Sequence, residues 1–283
     1  MKKYIINYIA SLSMITALFG SALNSFGQDK KHEFSIAVGG PSSFLSYQGV
    51  SQLVEGNGFN AGLRYSYYLS ENLSIGIGAE YQSYNTDAKF GSLYGQYAAT
   101  DSEKESFQFR FRANNLREEQ KLGYINIPLH IQFETPGTTK LYLAAGAKVG
   151  FAINGSYQTT IQNLTTSGYY PQYNVELFDP AFAGFGTTTN IKTGKQDLNA
   201  EVSYSATFET GVKQQIGEKS AIYLGAYLDY GLNNVYDRDL SKHPVQYTPG
   251  TPAKLEYNSI LDSRFAHDVR LVSYGLKLRF AIR

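Results

Sequence analysis

The side chains of this sequence that could do hydrolytic chemistry gather in one short segment, where Asp262, Ser263, His267 and Asp268 supply a hydroxyl, an imidazole and two carboxylates. A serine becomes nucleophilic when a histidine takes its proton and a carboxylate orients that histidine. Polar loops assemble the same residue types without chemistry, and no nucleophile elbow, phosphate loop or zinc spacing occurs anywhere in the chain. The other histidines, His32, His130 and His243, are scattered. Asp237-Arg238-Asp239 offers two carboxylates, too few for a calcium cage of about 6–8 oxygens. Cysteine is absent, which excludes thiol catalysis, disulfides and thiolate metal sites. The expectation is a protein with no catalytic residue, no cofactor and no metal, and so not an enzyme.

A second set of ionisable residues has a pattern. Arg64, Glu80, Lys148, Glu209, Asp229 and Lys277 each interrupt the polar face of a segment whose other face is apolar. Three are basic and three acidic. If those polar faces meet inside a closed structure, the charges must pair, because an unpaired buried charge costs several kcal/mol. The set could carry protons or ions, or form a structural plug of ion pairs. The balance of signs favours the plug.

The elements that would hold these residues have a period of two. The longest pair is Lys121–Ile153. In its first half Ile125, Ile127, Leu129, Ile131 and Phe133 share a face opposite Tyr124, Asn126, Pro128, His130 and Gln132. Its second half alternates from Leu141 to Ile153, after a turn that carries Pro136 and Gly137. Soluble strands average about 5–6 residues, whereas a tilted strand crossing a bilayer needs about 9–11. Similar strands are expected over Glu33–Gly40, Asn57–Ser70, Leu73–Tyr84, Glu201–Gln214, Ser220–Asn233 and Asp268–Arg283. Between them the connections alternate long and short: Pro41–Gly56, a tight turn at Ser70-Glu71-Asn72, Asn85–Gln120, the Pro136 turn, Asn154–Ala200, a turn at Gln215–Lys219, and Asn234–His267. Short periplasmic turns and long extracellular loops on an even number of strands are the pattern of outer-membrane barrels. The predicted fold is all-β, a transmembrane antiparallel up-and-down barrel of eight strands. Ten is the alternative, because Phe107-Gln108-Phe109-Arg110-Phe111-Arg112 also alternates; we read it as strand extending above the membrane. Pro128 removes a ladder donor in mid-strand, so a bulge is expected there.

Composition agrees with this. Tyr (24) and Gly (27) are abundant and Trp is absent; tyrosine forms interfacial girdles and glycine lets strands bend. The mean hydropathy of −0.30 is uninformative for a barrel with a polar interior. With 25 Lys+Arg against 24 Asp+Glu, nothing points to nucleic acid. Lys2 and Lys3, an apolar run to about Leu23, and Ser25 and Gly27 at the −3 and −1 sites read as a signal peptide over residues 1–27. The barrel domain is expected over 28–283, in the bacterial outer membrane, with the membrane lipid and the barrel-assembly machinery as expected partners.

Tyr124-Ile125-Asn126-Ile127-Pro128-Leu129 resembles a strand motif of the Bacteroidetes-type outer-membrane β-barrel family, the PorT-like group, in which tyrosine, any residue, a hydrophobe, proline and leucine follow in order. The leader ending in Gly27-Gln28 and the closing Tyr274–Phe280 strand are similar to that group's ends, while the final Arg283 departs from a terminal aromatic. The resemblance implies an integral outer-membrane protein; members mostly have no defined role, and some serve protein secretion. It implies no chemistry.

The loop Asn154–Ala200 is the best candidate for contacts with an extracellular protein or glycan. Tyr157, Tyr169, Tyr170, Tyr173, Phe178, Phe182 and Phe185 lie there among Thr and Asn, and such surfaces offer flat apolar faces beside hydrogen-bonding groups. The alternative is that these rings pack on one another over the barrel mouth. The functional expectation is a plugged, non-enzymatic barrel whose loops serve envelope integrity, adhesion or a secretion complex. A small-solute channel is the rival, and a lipid A-modifying enzyme using His267 and Ser263 is a third reading.

Overall fold

The computed structural model describes residues 31–48, 52–263 and 266–283; the expected signal peptide lies outside them. Eight strands form a closed antiparallel ring: β1 (His32–Gln48), β2 (Asn60–Tyr68), β3 (Leu73–Thr100), β4 (Ser106–Glu134), β5 (Thr139–Tyr170), β6 (Ser203–Gln215), β7 (Ser220–Gly231) and β8 (His267–Ile282). Neighbours in sequence are neighbours in the ring, and pairing of β8 with β1 closes it. Closure leaves no sheet edge to face hydrocarbon, which a spanning sheet requires. Eight strands, not ten, make the ring, and Phe107–Arg112 is the upper part of β4.

Strand length is uneven. The 28, 29 and 32 residues of β3, β4 and β5 far exceed the roughly 9–11 that cross a bilayer. These three therefore stand above the membrane as a tower, and two expected loops are corrected accordingly. Residues 85–120 form a β-hairpin with a tight turn at 101–105, where Asp101 Oδ1 accepts the amides of Glu103 and Glu105, both at 2.9 Å. Residues 154–170 continue β5, and the chain then folds back on it through short pairings at Val175–Leu177, Gly186–Lys192 and Gln196–Asp197.

The reason these stretches did not read as spanning strands is that the solvent order reverses. Within the membrane Ile75, Leu129, Leu143 and Leu224 point outward into lipid, and polar residues point in. Higher up, Phe107, Phe109, Phe111, Leu116, Ile161 and Leu164 point inward and form an apolar core. Val235, Val245, Tyr247, Ile260 and Leu261 of the last connection cover that core. The parity of the buried face also changes at one level on all three tower strands: between Phe90 and Leu93, between Ala113 and Leu116, and between Ile161 and Leu164. Asn115 sits at this seam with φ +50°, a left-handed conformation that asparagine tolerates better than most residues. Ser92 and Asn114 hydrogen-bond across it at 2.9 Å.

Two prolines are accommodated differently from expectation. β1 does not stop at Gly40 but runs through Pro41 to Gln48. Its pairing with β2 ends at Gly39–Asn60, so the missing amide of Pro41 falls where that ladder has stopped. At Pro128 there is no bulge. The β3–β4 pairing passes from Ile77–Leu129 to Glu80–Asn126 with the register unchanged. Proline costs its rungs there but needs no extra residue, because Gly78 opposite leaves room for the ring. The register shift of β4 against β5 lies instead at Gly123/Tyr124.

The outward face generates a prediction. Leu129→Arg places a cation in the middle of the lipid-facing band and should destabilise the folded barrel by about 2–4 kcal/mol. Urea titration in phosphatidylcholine vesicles, scored by heat-modifiable gel mobility, measures it; an unchanged midpoint would refute the assigned face.

Candidate functional site

Two places in the barrel concentrate polar chemistry, the lumen and the top of the tower. In the lumen, the six charges singled out above form one continuous line of alternating sign. Asp229 accepts from Lys148 at 2.7 Å, Lys148 donates to Glu80 at 3.0 Å, and Glu80 accepts from Lys277 at 3.2 Å. Lys277 lies 3.9 Å from Glu209, which accepts from Arg64 at 3.0 Å. β2, β3, β5, β6, β7 and β8 each contribute one residue, so the line crosses the barrel interior.

Sequence reasoning missed a second layer nearer the periplasmic turns. Lys213 Nζ donates to Glu33 at 2.9 Å, to the Tyr68 hydroxyl at 2.8 Å and to Glu134 at 3.1 Å. Tyr223 donates to Glu33 at 2.8 Å, and Lys140 lies 3.3 Å from Glu134. Between the layers Arg279 donates to Gln132 at 2.7 Å and stacks over Tyr223, 3.7 Å from guanidinium carbon to ring centre. These residues occupy inward positions of the ring's strands, with β1 and β4 now included, so parity was the available signal. Their closeness to turns made them look like solvated rim charges.

Just below the seam, on the membrane side, one carboxylate holds the cap. Glu118 is fully buried and accepts from Gln120 Nε2 at 2.8 Å, Thr159 Oγ1 at 3.2 Å, Ser259 Oγ at 2.8 Å and the Ile260 amide at 2.9 Å. Burial pushes its carboxyl above the ordinary carboxylate range, against the pull of those donors. Tyr97 receives the same treatment: burial raises its phenol to about 12 while its oxygen accepts the Tyr247 amide at 2.6 Å.

At the distal end of the tower the loops leave a cleft of about 430 Å³. Tyr170, Tyr173, Phe182 and Phe185 line it with Tyr247, and Asp101, Glu103 and Glu105 stand at its rim. Phe107 of β4 backs these rings, stacking on Tyr170 at 5.2 Å and meeting Phe185 and Tyr247 edge-on. Tyr170 donates to Asp101 at 3.0 Å and Tyr173 to Glu105 at 2.8 Å. Phe182 and Tyr173 are 64% and 59% exposed, a large apolar area to leave in water. The Ala253 amide donates to the Phe182 carbonyl at 2.8 Å, tying the two loops together.

Of the seven aromatic residues proposed for contacts, four therefore line the cleft. Phe178 is exposed nearby. Tyr157 and Tyr169 are on β5, where Tyr157 is buried and bonds Gln196, and Tyr169 stacks with Arg110. The acidic rim and Tyr247 come from other connections and were not anticipated. The catalytic ingredients are engaged elsewhere: the Ser263 hydroxyl donates to the Ile260 carbonyl at 2.6 Å, Asp262 accepts from Tyr236 at 2.9 Å, and His267 Nδ1 lies 2.9 Å from an Arg238 guanidinium nitrogen.

A family model described as "Outer membrane protein beta-barrel domain" matches residues 26–237. No curated protein sequence matches the chain. Among solved structures, the fold is similar to Ail, the attachment invasion locus protein of Yersinia pestis, at 12% identity over 89% of this chain and 99% of that one, with a TM-score of 0.34. Neisserial surface protein A is similar at 13% identity over 87% and 95%, TM-score 0.34. A major outer membrane protein from Thermus thermophilus is similar at 9% identity over 89% and 98%, TM-score 0.35.

Two predictions follow from this geometry. Glu80→Ala leaves Lys148 and Lys277 short of a buried counter-charge and should cost about 3–5 kcal/mol of barrel stability; an unchanged urea midpoint would refute the network. Glu118→Gln turns an amide donor toward groups that already donate, and should loosen the cap by about 1–3 kcal/mol. Because folding raises the Glu118 pKa, the folded state holds its proton more tightly, and its contribution to stability grows as pH falls from neutral toward the ordinary carboxylate range. Protease nicking of residues 233–263 should rise in Glu118→Gln and should not rise in the parent between pH 7 and pH 5.

Proposed function

Because the chain belongs to the outer membrane protein beta-barrel domain family, we propose that this outer-membrane protein is a non-conducting, non-enzymatic surface receptor that captures an extracellular protein through the cleft at the top of its tower. The observation that carries this reading is the open aromatic cleft, kept apolar and exposed at the point furthest from the membrane. Aromatic anchors in a pocket with a polar rim are the usual core of a protein-binding surface. The rim carboxylates of Asp101, Glu103 and Glu105 favour a segment that carries a lysine or arginine beside apolar residues. Adhesion or participation in a secretion complex are the roles that fit; the PorT-like motif at Tyr124–Leu129 supports the second.

Two plugs speak against the channel reading. The lumen is filled by paired side chains, as about eight strands would dictate, and the apolar cap closes the mouth above. The enzyme reading has less support, since the Ser263 hydroxyl and the His267 Nδ1 are each held by other groups.

The test uses the full barrel in nanodiscs against a displayed peptide library and a glycan array. The expected result is enrichment of basic-plus-apolar peptides, with at least tenfold weaker capture by Phe182→Ala and Tyr173→Ala. Capture only by glycans, or equal capture by both variants, would overturn the reading. In a planar bilayer the refolded barrel should be silent; steady stepwise conductance would return the channel to first place.

A further inference from the structure

We propose that the middle of the lumen holds one small monovalent anion of halide size, bound between Arg64, Arg279 and His130. Among the described residues, several buried polar atoms of this layer meet no protein partner: Arg64 Nη1, Arg279 Nε and Nη1, both ring nitrogens of His130, and Ser74 Oγ. They converge. Arg64 Nη2 and Arg279 Nη2 lie 3.0 and 4.0 Å from the two oxygens of Glu209. Arg279 reaches Gln132, which sits two residues along β4 from His130 and pairs in register with Ser74.

The charge balance has the sign that an anion corrects. The buried charges of the lumen described above comprise six cations and five carboxylates. Glu209 alone serves both guanidiniums of this layer, and it is also within reach of Lys277 and accepts from Tyr142. Water could meet the orphaned donors geometrically but would leave the surplus positive charge buried and uncompensated. A single halide meets both needs, since it accepts from every side and carries one negative charge. A divalent oxyanion would reverse the imbalance. Gly76 lies against the His130 ring and Gly146 against the His130 backbone, where a Cβ would collide, so both glycines make the room that seats His130 in this layer.

The Glu33–Lys213–Glu134 layer below and the cap above enclose this site, so the anion is captured as the barrel closes. The test is to refold the barrel from urea into detergent micelles in sodium bromide or in sodium gluconate at equal ionic strength, then desalt. The expected result is about one bromide retained per chain by X-ray fluorescence, and an anomalous difference peak between Arg64 Nη1 and the Arg279 guanidinium in crystals of that material. Arg64→Gln should retain at least tenfold less bromide. If that variant does not fold, the anomalous map of the parent decides alone. No retained bromide, a peak elsewhere, or full retention by a folded Arg64→Gln would each overturn the site.

Discussion

A carboxylate or an ammonium withdrawn from water without a partner costs several kcal/mol, and this barrel's interior is arranged around that penalty. The ring of eight strands is too narrow to keep a water column, so its inward residues must satisfy one another. They do so by alternation, Asp229 to Lys148 to Glu80 to Lys277 to Glu209 to Arg64, each cation shared between acids or each acid between cations. Tyrosines complete the coordination. Tyr68 and Tyr223 bring hydroxyls to the carboxylates and ring faces to Lys213 and Arg279, which explains why an outer-membrane protein spends so many tyrosines away from its lipid interfaces.

The same chain solves a second solvation problem above the bilayer. Once β3, β4 and β5 leave the lipid, water is on the outside, and the burial rule becomes that of a soluble protein. The apolar residues move in, the polar residues move out, and the last connection supplies the missing wall through Ile260, Leu261 and Val245. Glu118 is the exception inside that apolar core. Its four donors come from β4 itself, from β5 and from the cap, so a single carboxylate ties the cap to the tower.

Much of this was legible in the sequence, and the rest was hidden for identifiable reasons. The spanning faces were readable because hydrocarbon tolerates only apolar residues, which makes Ile125–Phe133 and Leu141–Ile153 alternate cleanly. Arg64, Glu80 and Lys148 stood out because they lie in mid-strand, where a charge has no access to water. Glu33, Lys213 and Arg279 obey the same parity but lie near strand ends, where charges are ordinarily solvated. The tower was read as loop because its apolar residues face the wrong way for a membrane strand, and because the parity change near Asn115 breaks any single alternating pattern. The cleft could not be assembled from one loop: Tyr247 and Asp101 are far from Tyr173 in sequence and meet it only through the folded tower.

The level at which β3, β4 and β5 leave the lipid has a consequence for how this chain can diverge. Below it, the positions that face away from the interior are policed by lipid, so they exchange only among hydrophobes. Above it, the outward positions on the same strands, such as Asp87, Lys89, Arg117 and Glu119, answer to water alone and are free to drift in charge. Two regimes of accepted substitution therefore share single unbroken strands. A residue-by-residue comparison of relatives should be scored separately on each side of that level, or positions that answer only to water will be averaged with positions that answer to lipid.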